Sequence, residues 1–218
     1  MWRHRALRVV SLGFVGIAFC TAIDDVALVF LATDSLQAGP SGASSVYAAV
    51  GIGLLIGFAI LGRVAEQLPT AALLVAGYAV SSLATALTGL AWALAAAFGF
   101  QLIRGVTASM MDVGHNTLLQ RIVPPHLLGR AFSNLYGMVG IAAGLSYIAG
   151  SLLLSATNPR VTFVVGGIGG LAVAAVVAVR LPRALRLSRA LRAPAPKPAP
   201  APETAPAEPT IPLRDPIG

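Results

Sequence analysis

Six stretches of this chain are each long and apolar enough to cross a lipid bilayer, and that leaves few folds open to it. A helix needs about 20 apolar residues to span a hydrocarbon core of roughly 30 Å. The runs are 9–31, 44–61, 70–87, 91–118, 131–154 and 161–179. Turn signals separate them: Gly39-Pro40, Pro69, Thr88-Gly89, Pro124-Pro125 and Asn158-Pro159. In lipid every backbone N–H and C=O must be satisfied within the protein, so spans of this length are helices. Charged residues make up 11% of the chain, against about 25% in soluble domains, too few to clothe a water-facing surface. An all-α membrane protein with six transmembrane helices is expected. Arg3, Arg5 and Arg8 before the first run mimic the start of a signal peptide, but the run is too long for one.

The arginines set the orientation. Arg3, Arg5 and Arg8 precede the first span, Arg63 lies between the second and third, and Arg121 and Arg130 lie between the fourth and fifth. Arg180, Arg183, Arg186, Arg189 and Arg192 follow the sixth. If the spans alternate, all of these fall on one side, and the other side receives Arg160 alone. Basic loops stay in the cytoplasm. The expectation is a multi-pass protein of the cell membrane with both termini cytoplasmic. Residues 1–8 form a basic N-terminus and 9–181 the transmembrane domain. Residues 182–192 are a basic juxtamembrane anchor touching anionic lipid. Residues 193–218, rich in Pro and Ala, form a disordered tail.

Other classes of function lose ground on the same residues. The net charge is +7, but the basic residues sit beside span ends rather than in an aromatic-rich patch, so no nucleic-acid partner is expected. Cys20 is the only cysteine, so the chain can form no internal disulfide. The three histidines and Cys20 have no metal-ligand spacing. There is no phosphate-binding Gly-rich loop and no nucleophile elbow. The chain is expected not to be an enzyme, and to hold no cofactor and no metal.

Polar residues inside the spans carry the functional signal, because a charge there is costly and faces a cavity or a partner. The first span has Thr21, Asp24 and Asp25, toward its outer half. The fourth has Gln101, Arg104, Asp112, His115 and Asn116, which with Ala108 fall on one helical face. Two readings stand. The stripe lines an aqueous path for substrate or protons, or Arg104 pairs with an aspartate to hold helices together. Asp24 and Asp25 are the candidates for carrying a proton. Glycines recur at 51, 53 and 57, at 137, 140 and 144, and at 166, 167, 169 and 170, where helices can approach closely.

The loop after the fourth span reads Gln120-Arg121-Ile122-Val123-Pro124, with Gly129-Arg130 following. This pattern resembles the link between the tenth and eleventh helices of the major facilitator superfamily, nearest its bacterial drug- and siderophore-exporter branch. Gly62 and Arg63 sit where that family has a loop motif between the second and third helices of a half. The resemblance covers about residues 7–181 and implies the C-terminal six-helix half, built as two inverted three-helix repeats. The first helix of each repeat lines the central cavity in that family; here those are the first and fourth spans. The implied function is a half-size secondary active transporter, with proton-coupled small-molecule efflux by alternating access. Its implied partners are the lipid bilayer, a small-molecule substrate, and either a second copy of the chain or a separately encoded six-helix half. The alternative is a non-transporting truncated membrane protein or an assembly partner.

Overall fold

A computed structural model of the chain describes residues 5–64 and 69–190, with side chains described for 8–64, 69–181 and 183. The tail at 193–218, Arg3, Arg192 and the side chains of Arg5, Arg186 and Arg189 lie outside the described residues. The described residues form helices joined by short turns, with no strand among them. The helices are α1 (Arg5–Phe30), α2 (Gly39–Val64), α3 (Thr70–Gly89), α4 (Leu94–Ile122), α5 (Leu128–Ala156) and α6 (Pro159–Ala190). All six are long and apolar enough to cross a membrane.

Three boundaries depart from the sequence reading, each for a local reason. A π-helical turn, Leu31–Ser35, prolongs α1 toward the next helix. The Gly39-Pro40-Ser41-Gly42 cluster, expected as a loop, is instead the first turn of α2. Proline suits a first helical turn, where its missing N–H would have no partner. The direction change is absorbed just ahead of it, by positive φ at Gln37 (52°) and Gly39 (65°). Finally, α6 runs on through Arg180 and Arg183 to Ala190. At 1.5 Å per residue it is about 48 Å long, so it extends well beyond a bilayer core of about 30 Å.

Successive helices run antiparallel, so a repeat of three helices begins on the opposite side from the one before it. The packing follows that inversion. α1 packs on α5 and α6; α4 packs on α2 and α3; α3 packs on α6. Exchanging α1, α2, α3 for α4, α5, α6 turns this set of neighbours into itself. α2 and α5 each lean mainly on one helix and are the flanks of the unit.

Small residues decide how close the helices come. At the α2–α4 crossing a side chain on Gly53 would strike the Leu102 carbonyl, and one on Gly105 the Val50 carbonyl. On α6, Gly166 and Gly169 face α1, while Gly167 and Gly170 face Ala86 and Ser82 of α3. The expectation of packing glycines therefore holds for Gly53, Gly57 and the α6 set. It does not hold for Gly51, Gly137, Gly140 and Gly144, which have open space around them. The isolated Arg160 also has a local role, since its guanidinium donates to the Gly89 carbonyl at the C-terminus of α3 (3.5 Å).

Candidate substrate and proton path

Asp24 and Asp25 are adjacent on α1, so their side chains point about 100° apart. Asp24 turns into the bundle and is completely buried. Its Oδ2 accepts a hydrogen bond from the Thr85 hydroxyl of α3 (2.9 Å) and lies 3.5 Å from Nε of Arg104 on α4. Asp25 is 43% exposed, and its Oδ1 lies 3.9 Å from Nη2 of the same arginine. Arg104 also donates to the Thr21 carbonyl (3.3 Å) and to Oε1 of Gln101 (3.4 Å). One guanidinium thus ties α4 to both carboxylates of α1. Only arginine, with its planar fork of donors, can serve so many acceptors at once.

Depth follows from the helix rise. Arg104 lies about 15 Å along α4 from Leu94, near the middle of a bilayer core of about 30 Å. With the π-helical turn the first span runs Arg8–Ser35, and Asp24 and Asp25 lie a few residues past its midpoint, toward the Ser35 end.

Asp25 gathers the flanking helices as well. The Tyr147 hydroxyl of α5 donates to its Oδ2 (3.2 Å), and the Tyr47 hydroxyl of α2 donates to its backbone carbonyl. Four helices therefore meet at Asp25, three of them at its carboxylate and α2 at its backbone carbonyl. Two buried atoms here have no hydrogen-bond partner, Oδ1 of Asp24 and Nε2 of Gln101. Unpaired buried polar atoms are rare and are found where a water, an ion or a proton is handled.

The polar stripe on α4 divides. Arg104, Asp112 and Asn116 are partly exposed, whereas Gln101 and His115 are buried against neighbouring helices. Toward the arginine-rich end, Asn116 accepts a hydrogen bond from Tyr136 of α5 at 3.5 Å. Asp112, one turn away and half-buried, has no cation within ion-pair distance among the described residues. Gly62, Arg63, Gln120, Arg121, Pro124, Gly129 and Arg130 are all exposed at the same end, away from this path. Pro124-Pro125 ends α4 there, and a short 3-10 turn, Pro125–Leu127, leads into α5.

His115 does not line the path, contrary to its place on the stripe. Its Nδ1 is 2.7 Å from the Met111 carbonyl, so that nitrogen carries the proton. Nε2 is then an acceptor for the Tyr78 hydroxyl of α3, and the ring stacks on Phe14 of α1. The residue clamps three helices. Tyr78→Phe is expected to lower stability by about 1–3 kcal/mol, because Nε2 is left buried without a donor. Thermal unfolding of the detergent-purified protein measures this.

Tyr47, Thr85, Tyr136 and Tyr147 are the site residues that sequence reasoning did not single out. A tyrosine within an apolar span has a hydroxyl that must find an acceptor, and that was the available signal.

The geometry is that of a polytopic membrane protein made of two inverted three-helix repeats, with ionisable groups where the first helices of the repeats meet. A sequence model described as Major Facilitator Superfamily matches residues 10–216. The chain belongs to that superfamily, a family of membrane transporters. No curated protein matches it.

Proposed function

We propose that the chain acts as one six-helix unit of a proton-coupled transporter that exports a small molecule by alternating access. The observation that carries this reading is the single Arg104 guanidinium held between buried Asp24 and exposed Asp25. A proton on Asp25 removes one of two attractions acting on Arg104 while Asp24 keeps its partner. The same event weakens the acceptor that Tyr147 uses to hold α5 to α1. Proton uptake is thereby linked to the packing of a flank, and a transporter's cycle requires such a link.

In this reading the unit works against a second one, either another copy or a separate six-helix half. Support comes from α5, whose Gly137, Gly140 and Gly144 meet no side chain within the unit and offer a surface for close helix approach. The arginine-rich end faces the cytoplasm of a bacterial cell, in keeping with the charge rule for membrane loops. The alternative, an assembly partner with no transport of its own, shares the same packing but needs no exposed acid at mid-membrane.

The test is reconstitution into proteoliposomes with an imposed pH gradient read by a dye, challenged with a panel of small amphiphilic compounds. The native protein is expected to release protons with at least one compound. Asp25→Asn should reduce that flux by about tenfold or more, in line with intramembrane acids being functional. Unchanged flux in Asp25→Asn would remove this acid from the mechanism. No flux with any compound, alone or with an added six-helix half, would favour the assembly-partner reading.

A further inference from the structure

A groove of about 830 Å³ runs between α1 and α6 at the arginine-rich end, separate from the polar path. Its lining on α1, from Arg8 to Gly13, lies about 18–26 Å along the axis from Asp25. Leu12, Val173 and Val176 contribute apolar walls, and Leu12 and Val176 are exposed. Arg8, Arg180 and Arg183 line its end. Among the described residues no carboxylate lies within ion-pair distance of these three guanidinium groups. Arg180 is about 31 Å along α6 from Pro159, the thickness of the hydrocarbon core, which puts it at headgroup depth.

We propose that this groove is a binding site for an anionic phospholipid. Positive charge at headgroup depth, with no carboxylate beside it among the described residues, is continuous with an apolar trough running into the membrane. That is the shape and charge of one acidic headgroup with its acyl chains. A soluble anion has no use for the trough, and a neutral lipid has none for three arginines that meet no carboxylate among the described residues. Basic residues at a membrane surface draw acidic lipids, and a groove adds selectivity to that attraction. The site is independent of the transport reading and stands whether or not the chain moves a substrate.

The full-length protein is reconstituted in phosphatidylcholine vesicles with or without phosphatidylglycerol bearing a photoactivatable group on one acyl chain. Adducts mapped by mass spectrometry are expected on Leu12, Val173 or Val176, competed by unlabelled phosphatidylglycerol and not by phosphatidylcholine. The triple variant Arg8→Gln, Arg180→Gln, Arg183→Gln should lose labelling by about tenfold or more. Val176→Trp keeps the charges and fills the trough, and should lose labelling equally. Thermal unfolding in pure phosphatidylcholine checks that each variant is folded. Equal competition by both lipids, or full labelling in the triple variant, overturns the proposal. So does labelling spread evenly over all six helices. Cross-links between two chains, or between the groove and residues 184–218, would show another occupant and also overturn it.

Discussion

Arg104→Gln is expected to destabilise the protein by about 3–5 kcal/mol, the cost of removing one partner from a buried ion pair. Asp24 has no exposed surface and its remaining donor is the Thr85 hydroxyl, so the lost charge cannot be replaced by solvent. Asp24→Asn should cost less, because Arg104 retains Asp25 and the Thr21 carbonyl. The double variant Asp24→Asn, Arg104→Gln should recover much of the loss, since neither buried charge remains. That recovery is the coupling a double-mutant cycle isolates. Unfolding of each variant in one detergent measures it, and strictly additive losses would mean that the two groups do not interact.

Gly53→Leu is expected to do comparable damage by another route. Overfilling a core costs about 1–3 kcal/mol when neighbouring side chains can shift. Here the obstacle is the Leu102 carbonyl, part of the helical backbone of α4, and the reciprocal Gly105 meets the Val50 carbonyl. Neither atom can move without parting the helices. α2 has α4 as its principal neighbour, so separating that pair detaches α2 from the unit. Gly51→Leu is the control on the same helix, since nothing lies within 4 Å of it, and it should be neutral within about 0.5 kcal/mol. Accessibility of a cysteine placed at Ala49, buried in the native packing, would distinguish a detached α2 from an intact one.

The helix count and alternation were legible in the sequence because lipid permits so little else. Apolar length fixes the spans, and the prolines and glycines between them fix where they stop. The boundaries at Gly39 and Arg180 were not legible. Proline reads the same in a loop and in a first helical turn, and arginine continues a helix as readily as it ends a membrane span. The site was half legible. Periodicity placed Arg104, Asp112 and Asn116 on one face of α4, and they are partly exposed there. It could not show that Gln101 and His115, within that same face, are covered by neighbouring helices. Nor could it separate Asp24 from Asp25, whose fates differ because adjacent residues point in different directions. The tyrosines that complete the site come from α2 and α5, and no pattern within one helix reports what another brings to it.

The neighbours of α1 also bear on how the protein is made. Of the six helices α1 is made before the others, yet its main packing partners, α5 and α6, are the last two, and the arginine that answers its two acids is on the fourth. Until then α1 carries Asp24 and Asp25 in or beside the bilayer without their counter-charge and without its main packing partners. Nascent chains that end before α4 therefore contain a helix that is poorly committed to the membrane. Its insertion is completed by segments synthesised more than seventy residues later, which makes biogenesis, as much as the finished structure, depend on Arg104.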